Sequence, residues 1–176
     1  MRHPCTLRAD RMALEQAFID DCPYAPGALL IDDVLEVDVD RSYVRCRMPA
    51  HEGLPLTRDQ RVHPVRHPRH VSGGLMVHMT GMVGFVHAYY VLGLRHADGW
   101  IGYGAKIHGA KFHHLARMGE ALELEGWTTQ LRKGTLRTFA RYQLRFTQGG
   151  KLVYEGDQAA MWLKVSEGDS AAEFTL

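Results

Sequence analysis

Residues able to move protons crowd one stretch of this chain. Between Arg61 and His78 the sequence reads RVHPVRHPRHVSGGLMVH, which gathers four of the 11 histidines, His63, His67, His70 and His78. The first three sit in a Pro-rich loop, and the fourth lies just inside an apolar run that opens on Gly73 and Gly74. An imidazole can accept or donate a proton near neutral pH. A helix start offers unsatisfied N–H groups and a partial positive charge to an oxyanion or a polarised carbonyl. Proton carriers next to an electrophile-binding end suit acid–base chemistry on a carbonyl compound. The spacing of His63, His67 and His70 also invites a zinc site. Closed zinc sites need three or four ligands with fixed directions and supporting hydrogen bonds, so no metal is expected here.

The elements that position these residues follow from hydrophobic periodicity. Met12, Leu14, Ala17 and Phe18 give Arg11 to Ile19 a loose helical pattern, closed by Pro23 and Pro26. Ala28 to Val37 and Ser42 to Met48 are rich in Val, Leu and Ile, and Asp38-Val39-Asp40-Arg41 between them reads as a polar turn joining antiparallel strands. Pro49 to Arg69 lacks periodicity and reads as a long loop, a feature that in compact domains is often functional. From Gly74 to about Leu92 the chain reads GLMVHMTGMVGFVHAYYVL, without a carboxylate, Lys or Arg. A helix apolar on nearly every face must be buried. A membrane span is the competing reading, and the two histidines and several glycines argue against it. After Gly99 come four long strands, Trp100 to His113, Ala121 to Arg132, Thr135 to Thr147 and Leu152 to Val165, separated by turn residues.

Composition bounds the setting. The 176 residues, 45% of them apolar, suit one domain with a full core or one protomer of an oligomer. A formal charge of +1 leaves no excess of Lys and Arg for a phosphate backbone or an anionic membrane, so neither nucleic acid nor membrane is an expected partner. Residues after Met1 and Arg2 form no apolar run of signal-peptide length, and a cytoplasmic protein is expected. Cys5, Cys22 and Cys46 are odd in number and far apart, which indicates incidental thiols rather than a disulfide framework or zinc knuckle. The expected division is an N-terminal helical segment over 1–22, a core domain over 23–165 and a polar tail over 166–176.

Two strands, a long loop, one apolar helix and four strands resemble the hotdog fold, an α+β arrangement in which a curved antiparallel sheet wraps a central helix. The resemblance is closest to the bacterial β-hydroxyacyl-ACP dehydratases, over about residues 23 to 165. Pro23-Tyr24 with Leu29 to Asp38 is similar to that family's opening strand. Ala110-Lys111-Phe112 with Gly119-Glu120 is similar to its A-x-F…P-G-D strand and turn, with Met118 in place of the proline. Lys133 to Leu136 and Gly150 to Glu155 match its last two hairpins. Aligning Gly73-Gly74-Leu75 with the G-x-L of the family's site motif puts Ser72 at a proline position and His78 at the position of its acid. The motif's histidine then falls on Pro64, one residue from His63.

The resemblance implies an acyl thioester substrate carried on CoA or acyl carrier protein, no cofactor, and a homodimer or dimer of dimers whose sheets continue and whose site lies between two chains. For dehydration of a 3-hydroxyacyl thioester, His63 would take the α-proton, His78 would protonate the leaving oxygen and the Gly73 N–H would hold the carbonyl oxygen. His67 or His70 could replace His63. His70, Ser72, Gly74 and Met82 are the expected substrate-binding residues. A hotdog thioesterase is the alternative, because hydrolysis needs only an activated water and the same N–H donor, and the helix lacks any carboxylate. The third reading is a non-catalytic acyl-thioester-binding dimer.

Overall fold

The computed structural model describes residues 12–165; residues 1–11 and 166–176, and with them Cys5 and the expected polar tail, lie outside the described residues. The turn Asp38-Val39-Asp40-Arg41 closes the expected hairpin between β2 (Asp33–Asp38) and β3 (Tyr43–Met48), and the Asp38 carboxylate accepts the Arg41 N–H at 2.9 Å. The first of these strands starts later than its apolar pattern suggests. Pro26 opens a single helical turn, α2 (Pro26–Leu29), where its missing N–H costs nothing, and Leu30 ends it in a left-handed conformation at φ 58°. The segment before it also differs from a plain helix. Met12–Ala13 form a short strand, β1, paired with Val34 and Asp33, and only Gln16–Asp21 are helical, as α1.

The apolar run is helical from Gly73 to His87 (α3) and continues as a wider π-turn through Ala88–Leu92, ending at Gly93 with φ 67°. Gly73–Leu92 is the one segment among the described residues long and apolar enough to cross a membrane. It is packed into the core: Met79, Val83, Val86 and His87 are wholly buried, as are Leu124, Ala140 and Phe146 of the sheet. Burying side chains of this size contributes about 1.5–3 kcal/mol each, so the helix is held by packing rather than by propensity. The sheet approaches it closely. A side chain at Gly126 would begin 2.6 Å from Val83 Cγ1.

After α3 come β4 (Trp100–Phe112), β5 (Leu122–Lys133), β6 (Arg137–Gln148) and β7 (Lys151–Lys164). All pairings are antiparallel, in the order β1-β2-β3-β5-β6-β7-β4, so the sheet has seven strands of which the first is two residues long. With one helix across its face, this is the α+β hotdog architecture that the sequence resembles. The chain crosses from β3 to β4 through the long loop and α3, which leaves β4 at one sheet edge, paired among the described residues with β7 alone, from Trp100↔Lys164 to Phe112↔Tyr154. Cys46 is buried, Cys22 is half-buried, and both are free.

Candidate active site

Ser72 starts α3. It sits in extended conformation at φ −66° and ψ 147°, and its Oγ accepts the Leu75 N–H at 3.2 Å. The Met76 N–H bonds to the Ser72 carbonyl, so the capping residue consumes these two donors of the first turn. The N–H groups of Gly73 and Gly74 are left without a partner among the described residues. A cavity of about 360 Å³ opens beside this end, bounded by His70, Gly73, Met76, Phe112, His113 and His114, among others. The Phe112 ring makes one wall. Its carbons would lie 3.0–3.6 Å from a Cβ at Gly73, so glycine is what lets helix backbone and ring come together. Tyr154 supports that ring at 5.3 Å between centroids and is itself packed on Phe146 at 5.0 Å.

His70 enters the cavity with its geometry fixed from several sides. Its Nδ1–H donates to the Pro68 carbonyl at 2.8 Å, which puts the hydrogen on Nδ1 and leaves the Nε2 lone pair open. The side chain of Gln60 clamps its backbone, donating to the His70 carbonyl at 2.8 Å and accepting its N–H at 3.2 Å. An isolated bridge joins His70 to Arg117, and Gln148 holds Arg117 by accepting its N–H at 2.8 Å and donating to its carbonyl at 2.8 Å. His113 and His114 both border this cavity. Strand alternation would allow only one, but β4 ends at Phe112, just before them. His113 Nε2 is 2.9 Å from the Glu155 carboxylate.

The sequence-derived site residues fall into three places. His70, Ser72, Gly73 and Gly74 come together at the helix start. His78 and Met82 line a second cavity of about 500 Å³ farther along the helix, between α3 and the strands β4, β6 and β7. There His78 Nε2–H donates to the Ala28 carbonyl at 2.7 Å, and Tyr24 packs edge-on against its ring at 5.4 Å, tying the helix to α2. The same cavity contains Thr80, whose hydroxyl lies 2.6 Å from both the Val77 carbonyl and the Gln158 side chain; the Gln158 side chain is in turn 3.1 Å from the Tyr154 hydroxyl. Burial raises the Tyr154 pKa, so the phenol stays protonated. His63 borders neither cavity. Its Nδ1 accepts the N–H groups of Val65 and Arg66 at 3.2 and 2.9 Å, on its own small hairpin. The structure thus does not bring His63 and His78 together. Among the described residues no group of three or more His, Cys, Asp and Glu is arranged to hold a metal.

A further polar group is wholly internal. His87, fully buried, accepts the Tyr142 O–H at Nδ1 (3.0 Å), and its Nε2–H points at the Ser42 hydroxyl and carbonyl at 2.9 and 3.2 Å. Thr128 donates to the Ser42 hydroxyl at 2.8 Å, and Ser42 is held at φ 50°. A Ser–His pair invites comparison with a nucleophile and base, but the proton count rules that out. Tyr142, whose pKa burial raises well above the ordinary value, occupies Nδ1 as a donor, so Nε2 carries the hydrogen and cannot accept one from Ser42. Burial, with Lys133 adding, lowers the His87 pKa to about 4, the Ser42 carbonyl opposing. The group is a clasp between the helix end and the sheet.

No family model matches this sequence, and no curated protein matches it. Solved structures do. A phenylacetic acid degradation-related protein of Ralstonia eutropha JMP134 is 19% identical with a TM-score of 0.57, over 83% of this chain and 96% of its own. A variant of a Pseudomonas aeruginosa thioesterase is 16% identical at a TM-score of 0.56, over 85% of this chain and 94% of its own. A thioesterase of Haemophilus influenzae is 14% identical at a TM-score of 0.59, over 94% of this chain and 99% of its own. At such identities the likeness is one of fold.

Proposed function

We propose that this protein hydrolyses acyl thioesters at the start of α3. The observation that carries the reading is the open Nε2 of His70 in the same cavity as the Gly73 N–H, which has no partner among the described residues. Water would give a proton to His70 Nε2 as its oxygen attacks the thioester carbon. The carbonyl oxygen, gaining charge, would be received by the Gly73 N–H and the positive end of the helix. Collapse would expel the thiolate, which takes the proton back from His70 to leave as a thiol. Dehydration needs a second proton carrier opposing the base, and the one expected, His78, is engaged with the Ala28 carbonyl in the other cavity. Two fold neighbours named as thioesterases also favour hydrolysis over elimination.

The same reading includes a second copy of the chain. Among the described residues nothing pairs with the outer side of β4, whose 13 residues are mostly exposed, including Ile107 and Phe112 at 55% each. A long uncovered edge strand is a template for pairing. Antiparallel pairing of two β4 strands about their centres would continue the sheet and set the Phe112 end of one chain beside the Trp100 end of the other, enclosing the helix-start cavity.

The test is product analysis with plain acyl-CoA and 3-hydroxyacyl-CoA. Free thiol from both, with no enoyl product, is expected. His70→Gln should cut thiol release about 10²-fold in a protein that still folds. Enoyl formation without thiol release would return the assignment to a dehydratase, and unchanged release by His70→Gln would remove that residue from the mechanism.

A further inference from the structure

Glycine lines the 500 Å³ cavity at places where the packing of one chain does not require it. Gly81 and Gly84 of α3 and Gly104 of β4 border this space, and a Cβ at any of the three would meet nothing within 4 Å. Glycine inside a helix is destabilising relative to alanine. The space is therefore held open against the helix's own preference. A further cavity of about 430 Å³, toward the end of α3, shares Tyr24, Phe85, Gly102, Tyr103 and Trp162 with the first. It continues among Phe18, Tyr89 and Trp100 to the half-buried thiol of Cys22. The two meet at a waist, where a Cβ at Gly102 would stand 2.7 Å from Trp162 Nε1 and 3.2 Å from Phe85 Cε1.

These spaces follow the candidate active site in order along α3. Gly73 and Met76 border the helix-start cavity, Val77 to Phe85 the next, and Phe85 and Tyr89 the last. β4 passes them in the opposite sense, with Phe112 at the first, Ile107 at the second and Trp100 at the third. The lining suits an apolar ligand. Of Asp, Glu, Lys and Arg it holds only Asp21 and Lys106. Asp21 spends its carboxylate on the N–H groups of His96 and Ala97 at 2.9 and 2.8 Å, and Lys106 is exposed. His78 and Tyr142 spend their donors on the Ala28 carbonyl and on His87.

We propose that the two cavities form one channel for a long unbranched acyl chain, which makes long-chain acyl thioesters the substrate class; this rests on the thioester reading of the helix-start cavity. The chain lies along α3 with its thioester at Gly73 and its methyl end past Phe85 and Trp162, beside Cys22. Length decides the class. At 1.5 Å per residue the helix runs ~18 Å from Gly73 to Phe85 and ~24 Å to Tyr89. Carbon–carbon bonds of about 1.5 Å advance an extended chain by ~1.3 Å per carbon, so about 14 carbons reach the waist and about 16 to 18 enter the aromatic chamber beyond it. At the waist, where one added carbon on Gly102 would already clash, the chain must be unbranched.

S-hexadecyl-coenzyme A and S-octyl-coenzyme A, thioethers that cannot be hydrolysed, are the probes. On the full chain the hexadecyl compound should protect Cys22 from alkylation by N-ethylmaleimide, measured on the Cys22 peptide by mass spectrometry, and the octyl compound, which stops short of the waist, should not. Gly81→Leu puts a side chain into open space before the waist. It should abolish the protection and lower the ratio of kcat/KM for hexadecanoyl-CoA over butanoyl-CoA about tenfold or more, since each methylene kept out of an apolar site forfeits about fourfold in affinity. Should Gly81→Leu not fold, Gly104→Val on the exposed strand is read in the same way. Absence of protection by the hexadecyl compound overturns the proposal. So does a variant that dissociates a dimer while chain-length preference and Cys22 protection stay as in the parent, which would make the glycine-lined space the seat of a second copy. If no thioester is hydrolysed but S-hexadecyl-coenzyme A protects Cys22 and Gly81→Leu removes the protection, the channel stands and the hydrolytic reading falls.

Discussion

Acidification should destabilise this protein through His87, by an amount that follows from its lowered pKa. The ring is fully buried and its pKa is lowered to about 4 from the ordinary 6.5, mainly because burial penalises the imidazolium. In the unfolded chain it regains the ordinary value. Above pH 6.5 both states hold neutral imidazole and the stability is full. Between pH 6.5 and about 4 the unfolded chain binds a proton that the folded chain refuses, so stability falls with pH; below about 4 both are protonated and the loss from this group is complete. A displacement of this size corresponds to about 3 kcal/mol, a large part of the stability of an ordinary domain. Urea unfolding of the parent and of His87→Gln at several pH values between 7 and 4 measures it. The glutamine can accept from Tyr142 and donate to Ser42 but cannot titrate. The parent should lose about 3 kcal/mol more than the variant over this range. The other histidines are common to both proteins and cancel in the difference. Parallel pH profiles would refute the argument, because they would mean that the folded state accommodates the imidazolium.

Other perturbations separate packing from chemistry. His78→Leu removes the donor to the Ala28 carbonyl and should cost about 1–3 kcal/mol by thermal or urea unfolding, with thiol release per folded molecule retained; a large fall in turnover at unchanged stability would put His78 back in the reaction. Gly126→Ala would press a methyl group to within 2.6 Å of Val83 Cγ1, and overpacking should destabilise by about 1–3 kcal/mol. Ile107→Asp places a charge on the exposed β4 edge and should shift sedimentation from dimer toward monomer; a parent that sediments as a monomer at micromolar concentration would remove the paired-sheet reading itself.

The fold was legible where periodicity and turn chemistry agreed. Asp38 to Arg41 and Gln148-Gly149-Gly150 mark two hairpins, and the uninterrupted apolar run marks the buried helix, because these signals are local. The misplaced boundaries have non-local or unusual causes. Met12 and Ala13 become a strand only because Val34 and Asp33 are there to pair with them. The apolar Ala28–Leu29 end in a helical turn because Pro26 starts one and Leu30 adopts φ 58°, a rare conformation for leucine. The site was legible as a region and not as a set of roles. A Pro-rich loop gives no period from which to compute where its imidazoles point, so nothing in the sequence separated His63 from His70. The His87 clasp was harder still. Ser42 and Tyr142 lie 45 and 55 residues away from it, and the sole local sign was a histidine interrupting an apolar helix.

The proposed role of His70 depends on how the loop before α3 is restrained. The stretch from Pro49 to His70 has no helix and no extended strand, and such a loop would ordinarily spread its side chains over many positions. Here polar side chains replace the missing ladder. Gln60 bonds both backbone groups of His70, Gln148 does the same for Arg117 across the bridge, and the Val71 N–H bonds to the Ala116 carbonyl at 2.9 Å. Gln148 is buried and donates further to the Glu120 carbonyl at 2.6 Å, so the turn after β4 and the loop before α3 are fastened to the same strand, β6. Two glutamines therefore carry positional information that neither propensity nor apolar pattern encodes. His70 is thus held in place by its neighbours, as the hydrolytic reading proposed above requires of a proton acceptor that is to act with a helix-start N–H on one carbonyl.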